Sequence, residues 1–197
     1  MGTAAPRVIY CTMFDSGYLA RGLALISSLR RTGVDSEVVV LALDDECSAY
    51  LGRLSLEGVR VLSVDGLIAA TPGLAKACSE RRWTEFIFTC TAALTDIVLR
   101  DVAADGWAVY LDSDMFFFNS PEAIFDQADS GSVGIIPHRF SRGLRRLEKY
   151  GTYNVGWVMF RNDSAGTACS RWWRDRTLDW CHDYPEHGKY ADQGYLD

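Results

Sequence analysis

The sequence predicts an α/β domain built on a mostly parallel sheet with helices on both faces. Three observations carry this. Short apolar runs, "RVIYCTM", "EVVVLAL" and "VRVLSV", alternate with helical stretches in the first third of the chain. Continuous apolar strands, unlike strands that alternate with polar residues, suit a sheet covered on both sides. A β-α-β-α-β order then places those strands parallel through right-handed crossovers.

Taken in order, Arg7–Met13 reads as a buried strand because it is short, apolar and followed by polar residues. "SGYLARGLALISSLRRTG" reads as a helix. Ser16 is placed to cap it, Leu19, Leu23, Ile26 and Arg30 recur at helical spacing, and Gly33 ends it. Glu37–Leu43 is a β-branched second strand, "DDECSAYLGRLS" a short helix opening at an acidic cap, and Val59–Val64 a third strand. Thr84–Arg100 is helical. Trp107–Leu111, Val133–Pro137 and Tyr153–Asn162 supply strands four to six. "SAGTACSRWWRDRTLDWCHDY" is a long amphipathic helix whose Trp172, Trp173 and Trp180 are expected in the core. With no repeat, linker or low-complexity segment, residues 1–197 form one domain.

The chain has 197 residues, 48% of them hydrophobic and 23% charged, enough to bury a real core. A net charge of −6 argues against a nucleic-acid surface, although "HRFSRGLRRLEK" is locally basic. Six cysteines lack any C-x-x-C spacing, so a zinc site is not expected, and Cys11 and Cys90 sit in contexts that suit buried thiols. "MGTAAPRVIYCTMF" has no signal-peptide pattern and no run approaches a membrane span. The expected location is the reducing cytoplasm, with room for peripheral membrane contact.

"VYLDSDMFFFNSPEAIF" carries the chemistry. Strand side chains alternate, so Asp112 and Asp114 project together at the carboxyl end of the fourth strand, where open parallel sheets bind ligands. Two unpaired carboxylates this close repel; either a divalent cation resolves the conflict, or Asp112 caps a turn and Asp114 is a solvated loop residue. Hard oxygen ligands suit Mn²⁺ or Mg²⁺. Beyond them Asn119 or Ser120 can cap a helix with Pro121 in its first turn.

These residues resemble the D-x-D region of GT-A glycosyltransferases, a Rossmann-like fold, and are most similar to the group related to glycogenin and the bacterial α-galactosyltransferases. "VIYCTMFDSGYLARGLALISSL", "EFIFTCTAALTDIVLR", "YNVGWVMFRND" and "KYADQGYLD" resemble that group's first strand and nucleotide loop, pre-D-x-D helix, N-x-G strand and D-Q segment, in the same order. The resemblance implies a metal-dependent, retaining hexosyltransferase that uses a UDP-sugar and a carbohydrate or glycolipid acceptor. It implies that Asp112 and Asp114 bind Mn²⁺ or Mg²⁺, with Asp112 also on the ribose side and Ser113 beside the donor. Thr12, Met13 and Phe14 would hold base and ribose, partly through backbone groups, and Tyr18 either stacks on the base or packs its helix. Asn154 and Gly156 are read either as a hydroxyl ligand with a close-approach glycine or as turn and packing residues. Asp192 would hold donor-sugar hydroxyls, and Gln193 would lie beneath the anomeric carbon. Gln is a poor nucleophile, which fits front-face attack better than a stable covalent intermediate.

Other polar residues are less determined. His138 follows the fifth strand and either faces the site or the surface; Arg81, Arg82, Arg139 and Arg142 either pair with phosphate or stay solvated. The group's later segment, with a metal-binding His and a basic residue near the diphosphate, has no counterpart after "DQGYLD". His182 and His187 precede the D-Q pair and do not match it. A domain truncated at its C-terminus is therefore expected. Two alternatives compete with transfer: a domain that binds nucleotide without turnover, and a haloacid-dehalogenase-type phosphohydrolase whose first D-x-D aspartate is a nucleophile.

Overall fold

The computed structural model describes residues 7–128, 130–186 and 189–197. Among these the order is β1 Val8–Phe14, α1 Leu19–Arg31, β2 Glu37–Ala42, α2 Asp45–Leu54, β3 Val59–Ser63, α3 Val64–Ala70, α4 Leu74–Glu80 and α5 Trp83–Asp101. Then follow β4 Trp107–Leu111, α6 Glu122–Gln127, β5 Val133–Pro137, β6 Tyr153–Arg161 and α7 Ser164–Asp179. Tight 3-10 turns lie at Ser16–Tyr18, Arg142–Tyr150 and Gln193–Tyr195.

Alternation along β1 builds two cores. Ile9, Cys11 and Met13 pack on one face with Leu67 of α3, Leu74 of α4, Phe86 of α5 and Trp173 of α7. Val8, Tyr10 and Phe14 pack on the other with Leu25 and Leu29 of α1, Leu51 of α2 and Phe125 of α6. Fully burying a leucine such as Leu25 or Leu29 contributes about 2 kcal/mol. Both faces are thus covered, as the continuous apolar runs require.

The strand order is β3-β2-β1-β4-β6-β5. β1 lies parallel to β2 and β4, and β2 to β3. β6 runs antiparallel to both β4 and β5, a direction that an apolar run does not encode. Strand order reverses between β1 and β4, which opens a crevice beyond their carboxyl ends. Because β6 is antiparallel, its beginning reaches the same edge: the Asp112 N–H donates to the Gly156 carbonyl at 3.1 Å.

Several local expectations change. Ser16 does not cap α1; its N–H and hydroxyl both donate to Asp44 at 2.9 Å, while Asp15 accepts from the Tyr18 N–H. The buried face of α1 is Gly22, Leu25, Ile26 and Leu29, and Leu19, Leu23 and Arg30 flank it half-buried. Gly22 has to be glycine because a Cβ there would collide with the Phe14 ring. Asp44 caps α2 through the Cys47 N–H, as expected of an acidic start, and such caps contribute about 1 kcal/mol. Val64 begins α3 rather than ending β3, and Pro121 precedes α6 instead of lying inside its first turn. The last long helix stops at Asp179. Trp173 is core, but Trp172 is exposed and Trp180 lies beyond the helix. Cys11 and Cys90 are fully buried thiols.

Candidate active site

A cleft of about 490 Å³ opens at the carboxyl ends of β1 and β4. Met13 and Phe14 reach it because they end β1, and Tyr18 because the Asp15-capped turn lifts it over the rim. Asp112, Ser113 and Asp114 reach it because β4 stops at Leu111. Asn154 enters from the start of β6, and Asp192 and Gln193 from the final turn. Residues separated by up to 180 positions thus line one cleft.

The carboxylates are strained electrostatically. Asp192, 4% exposed, has its pKa pushed up to about 7, first by burial and then by the charge on Asp112. Thr91, its own N–H and the Gln193 N–H bond its carboxylate and partly oppose that rise. Burial also raises the Asp112 carboxyl; the Tyr110 hydroxyl donates to it and works against the rise, while Asp114 adds to it. Tyr110 itself is held well above the usual phenol range by burial and by Asp112.

Among the described residues no Lys or Arg lines the cleft, whereas Asp15, Asp112, Asp114 and Asp192 do. No group of three or more His, Cys, Asp or Glu among them is arranged to hold a metal unaided. The carboxylate oxygens of Asp112 and Asp114 are hard donors of the kind that suit a divalent cation with positions open for a ligand's oxygens. A diphosphate alone would meet only negative charge here.

The partners of the other predicted residues are specific. Gln193 donates its side-chain N–H to the Tyr150 carbonyl at 2.6 Å, which holds the nitrogen end of the amide. Asn154 donates to His138 Nδ1 at 3.3 Å and accepts from the Gly156 N–H. His138 lines the cleft, stacked on Phe140 with centroids 4.6 Å apart. Gly156 lies behind the wall, where a Cβ would come within 3.3 Å of Asp112 Oδ2 and closer still to Asn154. The side chain of Thr12 is fully buried and does not reach the cleft. Tyr18 is 45% exposed, with the Arg21 guanidinium over its ring at 4.6 Å.

Arg81 and Arg82 are not at the cleft. Arg81 donates to the Thr177 and Leu178 carbonyls at the end of α7, and Arg82 binds Glu85 and Asp183. His182 pairs with Glu85 at 3.1 Å, and His187 lies outside the described residues. The reading of the sequence missed Asp15, Thr91 and Tyr110. Tyr110 was within reach, since it shares a face with Asp112 two residues on. Thr91 was not, because only the packing of α5 under the cleft brings it to Asp192.

No family model matches the chain. It is 31% identical over 195 residues to the uncharacterized protein YfnF of Bacillus subtilis (strain 168), and 25% identical over 191 residues to the uncharacterized YfnD of the same strain. Each match covers 95% of this chain, and it spans 64% and 61% of those relatives' lengths. Solved structures decide the architecture. Mouse xyloside xylosyltransferase 1 superposes with a TM-score of 0.56 at 15% identity, over 96% of this chain and 80% of its own. The galactosyltransferase LgtC, bound to donor and acceptor sugar analogues, gives 0.51 at 15% identity, over 95% and 69%. A mannosyltransferase from Pyrobaculum calidifontis, bound to GDP-Man and Mn²⁺, gives 0.50 at 15% identity, over 81% and 45%. The chain has the GT-A fold. Within the GT-A fold, the cleft described here sits at the switch between β1 and β4, and its floor is β4, which ends at Leu111 just before Asp112.

Proposed function

We propose that this chain is a metal-dependent, retaining glycosyltransferase that moves a hexose from a UDP-sugar to a carbohydrate or glycolipid acceptor. The supporting observation is the cleft itself: four aspartates and a fixed glutamine amide surround a space with no lysine or arginine among the described residues. A nucleoside diphosphate brings the opposite need, since its charge has to be met by a cation. Asp112 and Asp114 would hold Mn²⁺ or Mg²⁺, which supplies positive charge to the departing diphosphate. Solved GT-A neighbours include one bound to GDP-Man and Mn²⁺ and one bound to donor and acceptor analogues.

The remaining roles belong to this chain's own residues. Phe14 and Tyr18 flank the base and ribose, Ser113 lies beside the donor, and Asn154 and Asp192 accept from sugar hydroxyls. Gln193, with its nitrogen tied to Tyr150, turns its oxygen toward the anomeric carbon and stabilises positive charge developing there. Residues 1–197 act as one nucleotide-sugar domain in this reading.

Calorimetric titration of UDP, with and without Mn²⁺, tests it on the parent and on Asp114→Ala. Metal-dependent binding in the parent, weakened at least tenfold in the variant, is expected. Metal-independent binding of equal strength in both would show that the pair has another role.

A further inference from the structure

The strip between β5 and β6 is not accounted for by the cleft chemistry. Arg139, Arg142, Arg145, Arg146 and Lys149 fall within eleven residues, with Glu148 as the one acid among them. Among the described residues none of the five lies in an ion pair, although Arg30, Arg60, Arg82, Arg100, Arg174 and Arg176 all do. The strip carries +4, so the rest of a chain totalling −6 carries −10. An anionic surface would attract this strip, against a net repulsion from the rest of the chain.

The backbone sorts these residues. Arg142–Tyr150 is a 3-10 turn, in which every third side chain eclipses. Leu144, Leu147 and Tyr150 therefore form one ridge. Arg142 and Arg145 run along one flank, Arg146 and Lys149 along the other. Leu144 is 43% exposed and the four cations are exposed, while Leu147 and Tyr150 are half-buried, Tyr150 against Tyr190. An apolar ridge between two cationic flanks is the pattern of a segment that lies in a lipid interface. The strip is also anchored at the cleft: His138 begins it, the Tyr150 carbonyl holds Gln193, and the Thr152 N–H donates to Asp197 at 2.8 Å.

We propose that the Arg142–Tyr150 segment docks this protein onto an anionic membrane. Leu144, the exposed end of the ridge, enters the headgroup boundary, and Arg142, Arg145, Arg146 and Lys149 meet lipid phosphates. Docking itself is independent of the transferase reading. Combined with that reading, it places the cleft mouth at the lipid surface, where a glycolipid acceptor presents its sugar.

Co-sedimentation with phosphatidylcholine vesicles containing about 30% phosphatidylglycerol, at about 0.1 M salt, tests this. The parent is expected to pellet with these vesicles and not with pure phosphatidylcholine. Replacing Arg142, Arg145, Arg146 and Lys149 together by Ser is expected to weaken partitioning at least about tenfold, since each surface cation adds to the attraction. Leu144→Ser, with every charge kept, is expected to weaken it several-fold. Circular dichroism and Mn²⁺-dependent UDP titration of the same variants separate loss of fold or donor binding from loss of docking. Absence of parent binding, or equal binding by the charge variant, would overturn the proposal. Full binding by Leu144→Ser, or retention on heparin without vesicle partitioning, would overturn it in favour of a soluble polyanion partner.

Discussion

Asp192 is enclosed, faces Asp112 and keeps its proton to about pH 7, whereas an unfolded aspartate loses it near pH 4. Between those values the folded state binds more protons than the unfolded one. Stability of the free protein therefore falls as pH rises from about 4 to about 7, and this contribution is flat above. Asp192→Asn removes the penalty. Its melting temperature at pH 8 is expected to exceed the parent's, by about 2–4 °C for each kcal/mol recovered, while the proposed sugar transfer is lost. A parent melting curve independent of pH over that window, or a destabilised variant, would count against this picture. Asp112 and Asp114 were legible in the sequence because charge interrupts an apolar strand. The elevated proton affinity of Asp192 was not, since it depends first on burial in the folded cleft and then on Asp112, eighty positions earlier.

At the level of elements, the segment that delivers Asp192 is tied down by α5. Glu85, 4% exposed, accepts from the Arg82 N–H, its guanidinium, His182 and the Asp183 N–H. Burial works to raise its pKa, but these donors outweigh burial and hold it at about 2. A depressed carboxylate contributes stability above its unfolded pKa and loses it as pH falls from about 4.5 to about 2. Glu85→Gln is expected to cost about 1–3 kcal/mol at pH 7 and to show a shallower acid transition in that window by circular dichroism. An unchanged acid limb would remove Glu85 from this role. The helix α5 itself was readable from "TEFIFTCTAALTDIVLR", and the fourth and fifth strands were read to the residue. α3 and α4 went unread because the break at Thr71–Gly73 separates two helices of only seven residues each, too short for periodicity to register. The antiparallel direction of β6 is likewise a property of pairing, not of composition.

Across the whole molecule, ligand and fold stability are linked. Two carboxylates hold a cation weakly alone, so Mn²⁺ without nucleotide is expected to shift melting little. Mn²⁺ with UDP at about 100 times the dissociation constant is expected to add about 2.7 kcal/mol, and chelation to reverse it. Equal shifts from UDP with and without metal would contradict the proposed site. The order in which the site's parts are made has its own consequence. The Asp112–Asp114 edge is synthesised 79 residues before Gln193. At about 5–20 residues per second, the emerging protein spends roughly 4–16 s with an acidic groove but without its far wall. A growing chain thus carries a polyanion-repelling half-cleft before the residues around Asp192 complete the proposed donor site.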